Sequence, residues 1–130
     1  MKENDSQQNR KNNVVIVQEY FIRIKSRDIE GLLELFSDDA EIYEPFSRSS
    51  RLFGKNEIKS FLKSVIIANE GLQFEINIES QKNNHTNNLV ALVKFRKGNA
   101  INSRFTFSFE NTGKSNINGK IRSILIEFID

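Results

Sequence analysis

An α+β fold is predicted for this chain from a change of hydrophobic period along its length. Up to Asn69, three segments carry apolar residues at the i, i+3, i+4, i+7 spacing of amphipathic helices. From Gly71 onward, apolar and polar residues alternate with the period of two that is typical of strands. Strands joined by short loops normally pair as antiparallel neighbours, so the helices must cover one face of a single sheet. We predict a cone-shaped domain of three N-terminal helices packed on a curved, mainly antiparallel sheet.

The first and third helices are predicted from apolar stripes with polar residues on the opposite side. The first covers residues 13–26 and places Tyr20 on its buried stripe. The third begins near Gly54, includes Phe61 on its apolar side and ends near Asn69. Both helices are therefore expected to pack against the sheet with one face.

The second helix is predicted from a capping residue and a short apolar stripe. Asp28 can accept hydrogen bonds from the first free backbone amides of a helix. The following residues from Ile29 to Phe36 keep helical spacing, and Ser37–Asp39 end it. Two short antiparallel helices are thus expected before the first strand.

The first strand is predicted from alternation around Ile42. Ile42 and Glu44 point to one side and Tyr43 to the other, and Pro45 stops the strand. A short return strand is expected at residues 51–53. If the Ile42 side faces the core, Glu44 is a carboxylate pointed inward, where burial disfavours its charged form.

Four further strands are predicted after the third helix, and they should form a meander. The turn-forming Asn, Gly and Lys residues between them indicate hairpin loops, including the Asn-rich segments 83–88 and 111–118. The predicted strands cover residues 72–79, 89–96, 101–110 and 117–128.

The aromatic residues of this chain are mostly phenylalanines, with 11 Phe, two Tyr and no Trp. Such rings suit a core or an apolar pocket. The set expected under the helices shares an inward orientation, and it could either fill the space there or line a cavity. Its members are Ile42, Phe61, Phe74, Phe95, Phe105, Phe107 and Phe109.

Composition excludes several classes of function. The 19 basic residues are dispersed among 17 acidic ones with a net charge of +2, which argues against nucleic acid as a partner. With no Cys and one His, His85 in a polar loop, neither a metal site nor a cofactor is expected. The apolar run Val14–Val17 is too short to span a membrane, so a cytoplasmic location is predicted.

The length of 130 residues fits one domain. Residues 1–13 are almost wholly polar and are predicted to form a disordered tail. Residues 14–130 are predicted to form the single domain.

Glu44 and Tyr20 are the candidate catalytic residues. A buried carboxylate can act as a base, and a phenol aimed at an oxygen can stabilise the negative charge that forms there. A simpler interpretation pairs Glu44 with Arg48 or Arg51 at the surface. A simpler interpretation of Tyr20 is a core tyrosine whose hydroxyl donates to a backbone carbonyl.

Six short segments carry a pattern in their order and spacing: Val17–Tyr20, Arg27–Gly31, Leu35–Ala40, Tyr43–Pro45, Gly54 with Ile58 and Phe61, and Gly119–Ile121. These segments resemble the nuclear transport factor 2-like superfamily, and within it the SnoaL-like polyketide cyclase and ketosteroid isomerase branch. The resemblance covers residues 14–128 and implies a homodimer formed through the open sheet face, to which Val90, Leu92, Ile124 and Ile126 could contribute.

The same resemblance implies roles for the two candidate residues. Glu44 is similar in position to the acidic base of ketosteroid isomerase, an enzyme in which the protein environment sets the pKa values of the catalytic carboxylates. Tyr20 is similar in position to the phenolic hydrogen-bond donor of that enzyme. Phe105 stands where that enzyme has a second, protonated Asp donor. Two hypotheses follow: a cofactor-free isomerase or cyclase with an apolar pocket, or a non-catalytic member that binds an apolar ligand or a protein.

Overall fold

The computed structural model describes residues 2–45, 51–79, 88–110 and 119–129, with the backbone alone for residues 2–11 and 97. Three helices and six strands lie in this part of the chain. They follow one another as α1 (Lys2–Lys25), α2 (Ile29–Glu34), β1 (Phe36–Tyr43), β2 (Arg51–Phe53), α3 (Gly54–Ala68), β3 (Gln73–Ile78), β4 (Asn88–Lys97), β5 (Asn99–Phe109) and β6 (Ile121–Ile129).

The six strands form one sheet in the order β2-β1-β6-β5-β4-β3. Four of the five neighbouring pairs are antiparallel, and β1 with β6 is parallel. The α+β class and the meander of β3 to β6 are therefore confirmed. Three helices are present among the described residues, but the description of all three as N-terminal is not confirmed, because α3 follows β1 and β2 in the chain.

Helix α2 ends earlier than predicted. Its last residue is Glu34, and Phe36 already belongs to β1, which also takes in Ser37–Asp39. The cause is a tertiary contact, because the Ile121 amide donates to the Leu35 carbonyl at 2.8 Å and Phe36 pairs with Ile121. An apolar residue at this point fits the stripe of a helix and the inner face of a strand equally well.

Helix α1 begins earlier than predicted, at Lys2 instead of Asn13. Residues that were expected to form a polar tail thus form the first half of this helix. Its second half carries the apolar stripe, on which Val17, Tyr20 and Ile24 are buried. The division of the chain into a disordered tail and a domain stays a prediction.

Period-two alternation gives the sheet a covered face and an outer face. On β5, Ser103, Phe105 and Phe107 are buried against the helices, while Arg104 and Thr106 are only partly buried on the outer side. A tight turn at Gly98, whose φ of 88° is in the left-handed region, joins β4 to β5 and preserves this phase.

The covered face contains two residues that were expected on the outer one. Ile124 is fully buried and Ile126 nearly so, opposite Phe107 and Phe105 of β5. Apolar residues occur in both phases of β6, so alternation alone does not show which phase faces inward. The outer apolar residues of β6 and β4 are instead Leu125, Val90 and Leu92.

Some sequence predictions lie outside the described residues. These are His85, Arg48 and the hairpin loops predicted around 83–87 and 111–118. None of the helices in the described part of the chain has the length and apolar composition that crossing a bilayer requires.

Candidate functional site

A cavity of about 900 Å³ lies between the sheet, helix α3 and the C-terminal half of α1. Its floor consists of buried residues from α1, β5 and β6 together with Glu44 after β1, and its mouth is bordered by exposed residues of α3 and of the ends of β5 and β6. At the mouth, Phe128 is 53% exposed while its ring lines the cavity. The space is thus enclosed at one end and open at the other.

Glu44 is on the cavity wall and is only 3% exposed. It comes directly after β1 and shares the inward phase of Ile42, while Tyr43 between them points outward. The predicted alternation at this strand end is therefore confirmed. Its cause is the burial of Ile42, which orients the whole end of the strand.

A surface ion pair between Glu44 and Arg51 is not formed. Arg51 instead pairs with Glu41 on the opposite side of the strand, and the Tyr43 hydroxyl donates to the same carboxylate at 2.7 Å. The hydrogen bond from Arg51, followed by that from Tyr43, lowers the pKa of Glu41. This cluster is exposed and lies apart from the cavity.

Tyr20 is on the cavity floor within a group of phenylalanine rings. Its ring centroid lies 5.0 Å from that of Phe21 and 5.5 Å from that of Phe107, both in edge-to-face geometry. Phe36 and Phe105 lie at 6.4 Å. Such contacts stabilise one ring orientation, each by roughly 0.5–1.5 kcal/mol beyond area burial.

Burial raises the pKa of the Tyr20 phenol well above its usual range. The phenol therefore stays protonated in any physiological medium and keeps a proton to donate. Within the described residues, no hydrogen bond engages its hydroxyl, so the expected bond to a backbone carbonyl is not seen there.

The residues predicted to line a ligand pocket fall into two groups. Phe61, Phe74, Phe95 and Phe105 line the cavity. Ile42 and Phe107 are fully buried in the core and do not line it. Phe107 is nevertheless in contact with Tyr20, so it borders the site from behind.

Several polar residues of the cavity were missed by sequence reasoning. Asn56, Ser60 and Ser64 recur every four residues along one side of α3 and are exposed at the mouth. Ser103 lies on the floor, in the same phase of β5 as Phe105. Both signals were present in the sequence, as a helical stripe and as period-two alternation, but neither contains a residue type that marks chemistry.

The charged residues on the described part of the cavity wall are both carboxylates. Glu44 is at the floor, and Glu57 is exposed at the mouth, where it accepts a hydrogen bond from the Phe53 amide at 3.0 Å. No group of three or more His, Cys, Asp or Glu side chains placed to hold a metal ion occurs among the described residues. What this site offers chemically is a carboxylate and a phenol on an apolar wall.

No protein-family model matches the sequence, and no curated protein does. Solved structures do resemble it. The epoxide hydrolase/cyclase-like enzyme SalBIII, with a role in pyran ring formation in the polyether salinomycin, is 18% identical with a TM-score of 0.72, over 93% of each chain.

Two bacterial structures show the same likeness. A SnoaL-like protein of unknown function from Burkholderia thailandensis is 16% identical with a TM-score of 0.68, over 88% of this chain and 92% of that one. A putative polyketide cyclase from Sinorhizobium meliloti is 18% identical with a TM-score of 0.60, over 86% and 93%. The chain therefore has the nuclear transport factor 2-like fold, which the sequence resemblance implied.

Proposed function

We propose that this chain binds a small, mainly apolar molecule in its cavity and moves a proton next to a carbonyl group of that molecule, with Glu44 as base and Tyr20 as hydrogen-bond donor. The observation that carries the proposal is the presence of both groups on the floor of one apolar cavity. A cofactor-free isomerase or cyclase needs these two parts: a base for the proton and a donor for the developing negative oxygen.

The surroundings of Glu44 support its role as base. Glu44 is only 3% exposed and lines the cavity, so a molecule bound there could meet its carboxylate. The phenylalanines of the cavity would hold an apolar substrate against it. Volume also fits, since pockets for small molecules span roughly 300–1,000 Å³.

Tyr20 supports the second part of the mechanism. Its phenol keeps its proton, and the neighbouring rings hold it in one orientation, so it can donate to an enolate oxygen without reorganisation. Loss of one such donor typically costs about 3 kcal/mol, or on the order of a hundredfold in rate.

A non-catalytic binding function is the alternative, and Phe105 favours it. Phe105 lines the cavity where the resemblance implies a second, acidic donor. With a single donor, the enolate would be less stabilised and turnover slower. The cavity would then serve to hold an apolar ligand, and Glu44 would add little to affinity.

Deuterium exchange tests the proposal without knowledge of the natural substrate. Small cyclic ketones such as 2-tetralone are incubated with the protein in deuterated water, and incorporation beside the carbonyl is followed by mass spectrometry. We expect exchange faster than in buffer. Replacement of Glu44 by Gln should slow the protein-dependent exchange by a factor of about 100 or more, because general base catalysis contributes on that scale.

Glu41→Gln is the matched control, since Glu41 is on the strand that leads to Glu44 but faces the other side of the sheet. Its exchange rate should equal that of the unaltered protein. If Glu44→Gln and the unaltered protein exchange equally fast while both bind the ketone, proton transfer by Glu44 is rejected and the binding function remains.

A further inference from the structure

We propose that Ser103 is a specificity-determining residue that accepts a hydrogen bond from a second polar group of the ligand, away from the group held at Glu44 and Tyr20. This inference rests on the proposed function, because it assumes that the cavity binds a small molecule. It goes beyond that function by stating what kind of molecule fits.

Ser103 is one of three buried polar side chains on the described part of the cavity wall. It is 1% exposed, compared with 2% for Tyr20 and 3% for Glu44. All three are recessed in the floor and present a small surface to the space in front of them. A hydroxyl among apolar side chains is costly to bury unless it is satisfied, so its presence there requires a reason.

The Ser103 hydroxyl is only partly used by the protein. It donates to the Val93 carbonyl at 3.3 Å, which is long for an O–H···O bond. A hydroxyl has one proton and two acceptor sites, and no other hydrogen bond of Ser103 lies within the described residues. The group is therefore an acceptor for a ligand hydroxyl or amine.

The sheet register places Ser103 well away from Glu44. Ile126 pairs with Phe105 of β5, and Ser103 pairs with Phe128. Glu44 comes two residues after Ile42, which pairs with Ile124, so continued register sets it beside Ile126. Two strand spacings and two residues along a strand separate the carboxylate from Ser103, a distance on the order of 10 Å.

This separation defines a class of ligand. The molecule would have a rigid apolar frame with two polar groups on the order of 10 Å apart, a span set by the strand spacing. One group lies at Glu44 and Tyr20, and the other, a hydrogen-bond donor, lies at Ser103. The rings of Phe95, Phe105 and Phe128, neighbours of Ser103 on the cavity wall, would pack against the frame.

Two probes that differ in one hydroxyl test the inference. 4-Phenylphenol carries one hydroxyl, and 4,4′-dihydroxybiphenyl carries one at each end of the same frame. We expect the diol to bind about five- to tenfold more tightly by calorimetry, the range of one added neutral hydrogen bond. Ser103→Ala should remove this advantage while the affinity for 4-phenylphenol stays unchanged.

Two further variants distinguish a failure of this inference from a failure of the proposed function. Ser108→Ala, a serine of β5 in the outward phase, should leave both affinities unchanged. Tyr20→Phe should weaken both probes to the same degree, because it acts on the hydroxyl they share. Equal affinity of the two probes for the unaltered protein overturns the inference alone, as does an equal loss for both in Ser103→Ala. Failure of both probes to bind overturns the proposed function as well.

Discussion

At the scale of single residues, Tyr20 connects the candidate site to the stability of the protein. Its phenol is buried among rings that contact it edge to face, and this burial raises its pKa. The folded protein therefore resists loss of the phenolic proton, while the unfolded chain loses it near pH 10, the ordinary pKa. The same feature that keeps Tyr20 a hydrogen-bond donor makes folding sensitive to alkali.

The free energy of unfolding should consequently fall as the pH rises past about 10, by up to about 1.4 kcal/mol per pH unit from this group. The sign follows from proton counts, since above that pH the unfolded state binds fewer protons than the folded one. Urea unfolding from about pH 8 to pH 11 measures it. Tyr20→Phe should reduce the slope; an equal slope in this variant and in the unaltered protein would contradict the prediction.

At the scale of elements, helix α2 depends on a cap that sequence alone identified. The Asp28 carboxylate accepts a hydrogen bond from the Gly31 amide at 2.9 Å. The Gly31 carbonyl accepts a hydrogen bond from the Arg23 guanidinium of α1 at 2.6 Å. Gly31 therefore connects the capped first turn of α2 to α1. A short helix of this kind has little stability of its own.

Asp28→Ala should lower the free energy of unfolding by about 1 kcal/mol, the usual cost of losing an N-cap. Gly31→Ala should have a similar effect, because a methyl group there would meet the Asp28 carboxylate. The two costs should not add in the double variant, since both remove the same cap. Urea denaturation provides the values, with Asp39→Ala on the exposed side of β1 as the control.

At the scale of the whole molecule, the outer face of the sheet carries a row of side chains from four strands. Cross-strand register aligns Tyr43 of β1, Leu125 of β6, Thr106 of β5 and Val90 of β4. Leu125 in this row is 40% exposed. A second copy of the chain would cover this row in the homodimer that the family resemblance implies.

Light scattering after gel filtration should then give the mass of a dimer, and Leu125→Glu should give a monomer, because a charge in the middle of the row would be buried without a partner. Ile67→Glu, at an exposed site on α3, serves as the control and should remain dimeric. A monomer for the unaltered chain would refute this prediction.

The sequence was sufficient for features that depend on a residue's own element. Periodicity placed Tyr20 on the buried stripe of α1 and Glu44 in the inward phase of its strand. Asp28 marked the start of α2. These predictions succeeded because the period of a helix or strand decides which side chains share a face, whatever packs against it.

The tertiary structure decided the features that depend on the spacing and alignment of different elements. Phe105 and Phe107 share one face of β5 and both contact Tyr20 of α1, yet only Phe105 of the two lines the cavity. Phe36 lies in a strand instead of the predicted helix because it pairs with Ile121 of β6. Alternation defines the faces of each element, whereas only the distance between packed layers determines where a core ends and a cavity begins.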